Sequence, residues 1–228
     1  LKAARDSRVR RICTPVLYGP QTKAELASFP VGTVSAAAGH AAHEAVCSAT
    51  ADAIAGRIDA VTTAPINKTG WALAGLPWRG HTELLAELTG AERVAMMFYS
   101  DRLRVVLATV HVPLVDVGRL LTPAVVEGVI GLAHRELPRF GYPKPRLAVA
   151  GVNPHAGEDG LIGDDETRVI RPAVERCRSR GIDVTGPLPG DTVFVRGLNL
   201  RGAVTDLPSQ GGDAEIAMIR HPARQHLI

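Results

Sequence analysis

Aromatic side chains are scarce in this sequence. Phe, Trp and Tyr together make up 4% of the 228 residues, so a core must be assembled from small aliphatic groups, which suits helices packed closely on a sheet. Only three cysteines occur, Cys13, Cys47 and Cys177. They lie far apart with no C-x-x-C pair, so neither a disulfide framework nor a thiolate zinc site is indicated, and a reducing, cytoplasmic setting is expected. No apolar run approaches the ~18 residues of a membrane-spanning helix, and Leu1–Arg11 alternates charge without an apolar signal-peptide core; no membrane partner is expected. The net charge of +3 comes from scattered arginines without basic patches interleaved with aromatics, which argues against a nucleic-acid partner. G-x-G-x-x-G, the Walker lysine motif and G-x-S-x-G are all absent, so no cofactor-binding residue is identified by motif. The chain opens on Leu1 rather than Met within a helix-like stretch, and a missing upstream segment is the expectation.

What is present is an alternation of apolar strand-like runs with helix-like stretches, the pattern of an α/β fold with a largely parallel sheet. Strands are predicted at Cys13–Tyr18, Ile58–Thr63, Val94–Tyr99, Leu103–Val110 and Leu147–Val152. Ser35 is a natural N-cap for one long Ala-rich helix ending at Gly56, and Thr82 for a short helix ending at Gly90. Thr122-Pro123 opens a helix to Leu137. Asp164, Asp165 and Glu166 load negative charge onto the start of a helix that runs to about Arg180, with basic residues at its end as the dipole favours. Beyond Phe194 the periodicity fails. The organisation read from this is part of a first α/β domain over 1–110, part of a second over 111–194, and an atypical tail over 195–228.

Three predicted strands end in polar clusters: TTAPINK at 62–68, TVH at 109–111 and NPHAGE at 153–158. Ligands of open α/β folds bind outside the carboxyl ends of the strands, where such clusters would converge. His111 and His155 follow two of these strands as candidate co-ligands of a divalent cation, a partial set where three ligands are usual; the simpler reading is that each only caps its strand. His81 and Thr82 stand at a helix start, where free backbone N–H groups favour a phosphate or carboxylate, although spacing alone favours Thr82 as an ordinary N-cap and His81 as an exposed loop residue. Asn67 and Lys68 offer an amide and a cation to an anion. Asp191 could hold a substrate hydroxyl or a histidine. His40-Ala-Ala-His43-Glu44 has the wrong order for a zinc-protease signature and reads as a solvated helix face.

The strings TTAPINK, GHTELLAELTG, MMFYSDRLRVVLATVHVPL, NPHAGEDGLIGDDE and GPLPGDTVF, in this order from about Val16 to Phe194, resemble the 4-hydroxythreonine-4-phosphate dehydrogenase family of vitamin B6 synthesis. The resemblance implies a two-domain α/β/α fold akin to isocitrate and isopropylmalate dehydrogenases, and a homodimer with its active site at the subunit interface. It also implies a divalent metal (zinc, magnesium or cobalt) and NAD or NADP. By it, His111 and His155 match metal-binding histidines, His81 and Thr82 match substrate-binding positions with Asn67 beside them, and Asp191 falls in the DT-F element. Asp191 and Lys68 are the catalytic candidates, Lys68 also being a candidate for the phosphate. The family's glycine-rich opening segment (G-D-P-x-G-I-G) and its Y-H-D-Q-G segment, which carries a third metal histidine, have no counterpart here. His221 and His226 lie in a different context, so no third ligand is assigned and truncation at both ends is expected.

The activity so implied is metal-assisted oxidation, with decarboxylation, of a four-carbon phosphorylated hydroxy acid such as 4-phosphohydroxy-L-threonine. A related branch acts on threonate or erythronate 4-phosphate, and the MMFYS and LATVHVPL strings lean toward it. Two alternatives use the same residues: an inactive homologue that only binds metal or a phosphorylated ligand, and a metal-dependent phosphate-ester hydrolase needing no nicotinamide.

Overall fold

In the computed structural model of the chain, residues 2–100, 103–153 and 155–199 are described. They fall into two compact units divided between Glu92 and Arg93. In the first unit Ser35 caps the helix Ala36–Ile54, its hydroxyl accepting the Ala38 N–H at 3.2 Å. Small residues on one face of this helix let its backbone come close to the short helix Lys68–Leu73. A Cβ added to Gly39 would lie 2.2 Å from the Gly70 carbonyl oxygen, so only glycine fits there. Val46, Trp71, Leu84 and Leu85 form the core, with Cys47, Ile66, Leu76 and Trp78 packed around them. The helix His81–Thr89 contributes both leucines and stops at Gly90, whose φ of 62° is the left-handed C-terminal geometry glycine favours. Shorter helices cover Lys2–Arg5, Ser7–Arg10 and Lys23–Ala27, the last closed by a reciprocal capping box between Thr22 and Glu25.

The predicted strands Cys13–Tyr18 and Ile58–Thr63 run without ladder pairing. A strand exists only as a member of a hydrogen-bonded pair, and among the described residues neither segment joins a ladder. Sequence periodicity shows the apolar run but not its partner.

The second unit holds two ladders. β1 (Met97–Tyr99) pairs antiparallel with β2 (Arg104–Val106), and β3 (Leu147–Ala150) pairs parallel with β4 (Val184–Leu188). The fold is thus a mixture of helix and sheet with a parallel pair, and among the described residues β3–β4 is the parallel element in place of the extended sheet expected. β4 itself was not foreseen, because Gly186 and Pro187 break its apolar run. Gly186 is required there: a Cβ on it would meet the Val149 carbonyl oxygen at 2.6 Å.

Thr122 caps the helix Pro123–Glu136, which packs Val126 and Ile130 on Val169, Ile170, Ala173, Val174 and Cys177. Burial pushes the Cys177 thiol up from its ordinary value. Glu127 links this helix to the next through Arg176 at 2.8 Å and Arg180 at 3.1 Å. The Arg176 hydrogen bond, against the opposing effect of burial, holds its carboxyl below the usual range. The single helix expected from Asp164 to Arg180 instead opens as a widened π-type turn, Glu166–Ile170, before the helix Arg171–Ser179. Pro172 has no N–H to donate to the preceding turn, and that turn relaxes around it. Past Phe194 the chain stays helical, over Gly190–Asn199; most of the expected tail, with His221 and His226, lies outside the described residues. Among the described residues no helix is long and apolar enough to cross a membrane.

Candidate functional site

In the first unit the polar segment Thr62–Lys68 leads into a helix rather than ending a strand. Asn67 is the N-cap of Lys68–Leu73, its Oδ1 accepting the Gly70 N–H at 2.8 Å. Its contribution to a ligand would therefore come from the amide NH2. Lys68 runs toward the start of the His81–Thr89 helix: its Cε lies 3.9 Å from where a Cβ on Gly80 would stand. Gly80, extended at φ 179°, is the N-cap and provides no side-chain hydrogen bond to the first turn. The Glu83 carboxylate borders the same point at 3.5 Å.

Two expectations are corrected here. Thr82 is not the N-cap, because the helix begins one residue earlier at His81. His81 is not an exposed loop residue but is 2% exposed. The indole of Trp71 meets its ring edge-on with centroids 5.9 Å apart, and Trp71 also meets His43, which stacks on Trp78 at 5.1 Å. The H-A-A-H-E face is accordingly split. His40 and Glu44 are exposed, whereas His43 turns into the aromatic cluster with its Nε2 3.4 Å from the Cys47 sulfur. The structure thus brings Asn67, Lys68, His81 and Thr82 into one neighbourhood, where the first-turn N–H groups, a lysine and the helix dipole favour an anion.

His111, His155 and Asp191 lie in the second unit. His111 is exposed, in a left-handed backbone conformation at φ 54°. It does not directly follow its strand. The last rung of the β1–β2 ladder is Leu107 N–H to the Met96 carbonyl at 3.0 Å, and among the described residues those beyond join no ladder. It stands instead just before the helix Leu114–Leu120. β3 and β4 are parallel neighbours still joined past the ladder by the Gly151 N–H to the Leu188 carbonyl at 2.8 Å. The loop carrying His155 and the turn carrying Asp191 therefore leave the same sheet edge. Asp191 is exposed in the first turn of Gly190–Asn199.

The loop after β3 contains residues whose roles sequence reasoning missed. Glu166 is only 1% exposed. One carboxylate oxygen accepts the Asn153 backbone N–H at 2.8 Å and the other accepts the Asn153 side-chain N–H at 3.1 Å. Burial is the largest influence on this carboxyl and pushes it up, but the hydrogen bonds from Asn153 and from neighbouring backbone outweigh it and hold the group below the usual range. Asp164 and Asp165 face outward and pair with Arg168. The acidic triplet expected to serve the helix dipole is thus divided, with one member buried under the loop. Ala156, Gly157, Glu158 and Asp159 all have positive φ, between 44° and 72°, a left-handed turn costing about 1 kcal/mol or more at each non-glycine residue. Within it Glu158 Oε1 lies 2.7 Å from His155 Nδ1. The N-P-H-A-G-E spelling put a carboxylate three residues after the histidine, which was the signal available for this pair.

His155 fits a cation ligand in one respect: Nδ1 is engaged by the Glu158 carboxylate, which would leave Nε2 for a cation, the arrangement usual for ligating histidines. Among the described residues, however, no group of three or more His, Cys, Asp or Glu side chains is assembled to hold a metal ion.

Comparison with known proteins bears on what this arrangement serves. The family described as "Pyridoxal phosphate biosynthetic protein PdxA" matches residues 5–206. D-threonate 4-phosphate dehydrogenase of Salmonella typhimurium is 49% identical over 169 residues, 74% of this chain and 52% of that protein. 4-Hydroxythreonine-4-phosphate dehydrogenase of Beijerinckia indica is 46% identical over 197 residues, 83% of this chain and 58% of that protein. A crystal structure of 4-hydroxythreonine-4-phosphate dehydrogenase from Klebsiella pneumoniae superposes with a TM-score of 0.69 at 49% identity, covering 73% of this chain and 50% of that one. The chain spans about half the length of the curated relatives it matches. With a family match over most of its length, and relatives sharing nearly half their aligned residues with it, the chain belongs to the PdxA family.

Proposed function

We propose that this chain serves the oxidation, with decarboxylation, of a four-carbon phosphorylated hydroxy acid by NAD or NADP in the presence of a divalent cation. The substrates are of the kind named for its relatives, D-threonate 4-phosphate or 4-hydroxythreonine 4-phosphate. The observation that carries this reading is the anion-favouring neighbourhood in the first unit, where Lys68 reaches the uncapped start of the His81–Thr89 helix. A phosphate there would take hydrogen bonds from the first-turn N–H groups, with Lys68 as its counter-charge and Thr82 and the Asn67 amide as further donors. Trp71 packs edge-on against the buried His81 ring and limits its movement there. Binding energy from the phosphate then orients the distant reacting carbon.

His111 and His155 are the residues of the second unit that would hold the cation, and Asp191, leaving the same sheet edge as the His155 loop, would accept a hydrogen bond from a substrate hydroxyl. When bound, a divalent cation such as zinc, magnesium or cobalt polarises substrate oxygens while a nicotinamide accepts the hydride. The same reading includes an architecture akin to isocitrate and isopropylmalate dehydrogenases, a homodimer with its active site at the subunit interface, a place in vitamin B6 synthesis or a related branch, and a cytoplasmic location.

A second reading, in which this chain binds the phosphorylated acid without oxidising it, uses the same anion-favouring residues of the first unit. Nicotinamide absorbance separates the two. Reduction of NAD(P) by the purified chain with zinc, magnesium or cobalt and either phosphorylated acid is expected under the first reading, and saturable binding without reduction under the second. Release of inorganic phosphate without nicotinamide would replace both with hydrolysis.

A further inference from the structure

His155 cannot be held by packing, since its side chain is 58% exposed. Its orientation has to come from hydrogen bonding, and the partner is Glu158 Oε1, 2.7 Å from Nδ1. An ionised carboxylate only accepts hydrogen bonds, so a neutral imidazole meeting it must carry its proton on Nδ1. Nε2 then presents a lone pair on the other side of the ring.

The reach of Glu158 to a residue three positions earlier depends on the left-handed turn Ala156–Asp159, in which Glu158 itself has φ 44°. L-residues do not adopt such a turn unaided, and here the loop is wrapped on the buried Glu166 carboxylate. A Cβ on Gly157 would fall 2.7 Å from Glu166 Oε2, and one on Gly151 would fall 3.0 Å from Oε1. Asn153, two residues before His155, is tied to the same carboxylate through both its backbone and side-chain N–H groups. The sequence of support runs from Glu166 to the loop, from the loop to Glu158, and from Glu158 to the ring.

The geometry points to Glu158 as a positioning residue that holds His155 in the Nδ1–H tautomer, with Nε2 presented to a divalent cation, and to Glu166 as the anchor of the loop that lets it do so. This rests on the reading of His155 as a cation ligand and adds what fixes that ligand. Metal-ligating histidines are commonly oriented in this way by a carboxylate, and loss of such a partner typically weakens metal binding about 10- to 100-fold.

The test uses the full 228-residue chain, 15N-labelled and metal-free in alkaline buffer where imidazole is neutral, with a His155→Ala variant to assign the ring signals. The unsubstituted chain is expected to show Nδ1 protonated and Nε2 bare. Glu158→Ala should move the ring toward the Nε2–H tautomer and weaken Co(II) binding, followed by its visible absorption, roughly 10- to 100-fold. Glu158→Gln, whose carbonyl oxygen can still accept from Nδ1, should keep the tautomer and recover part of the affinity. A ring spectrum unchanged in Glu158→Ala, or an unsubstituted chain already protonated on Nε2, would overturn the pairing. If the ring behaves as expected but the unsubstituted chain takes up no Co(II), the cation reading of His155 is what falls. The two failures are read on separate signals.

Discussion

His81 and His155 are both in segments matched to the same family, yet they are held in opposite ways. His81 is 2% exposed and wedged against Trp71 within a cluster of rings, and its surroundings favour an anion. His155 is largely in water, and carboxylates fix it, one on its ring and one beneath its loop. Each unit thus prepares its histidine by different means. The first relies on backbone close approach and shape; the second relies on a buried charge satisfied by hydrogen bonds.

The largest effect is expected at Gly39. Gly39→Val would drive a side chain into the Gly70 carbonyl and should destabilise the first unit by about 3 kcal/mol; a urea midpoint unchanged from the unsubstituted chain would contradict the close approach. Next comes Glu166→Ala, which leaves the half-buried Asn153 donors without their acceptor and should cost about 2 kcal/mol in the same measurement.

The Glu166 carboxyl also has a pH signature. Because its folded pKa is lowered, its stabilisation is fully present above the ordinary value of 4.5 and drains away as pH falls below that, through the folded pKa. Acid unfolding of Glu166→Gln should lack this contribution, and identical acid profiles would remove the charged-carboxylate account. The smallest effect is expected from Arg171→Ala. Its pair with Asp159 is solvent-exposed, so a loss of no more than about 0.5 kcal/mol is expected. A larger loss would mean that the loop is held from its surface rather than from Glu166.

Much of the helical framework was legible in the sequence because caps announce it. Ser35 and Thr122 start their helices as their chemistry dictates, and Gly90 ends another. Strands were less legible, since Cys13–Tyr18 and Ile58–Thr63 carry strand-forming residues but join no ladder among the described residues, while β4 pairs despite an interior glycine and proline. At the site, the sequence marked polar segments but not their environments. Nothing local distinguishes a buried His81 from an exposed one, because Trp71 and Trp78 reach the cluster from other turns of the chain. Likewise, Asp164, Asp165 and Glu166 spell one acidic run, and only the loop folded over Glu166 tells which of them is buried.

The most direct test of the central claim is calorimetric titration of the chain with D-threonate 4-phosphate, beside unphosphorylated D-threonate and the Lys68→Met variant. Saturable binding that requires the phosphate, and that weakens roughly 10-fold or more in Lys68→Met, is the predicted result. Equal binding of the two acids, or binding of the phosphorylated acid indifferent to loss of Lys68, would contradict it.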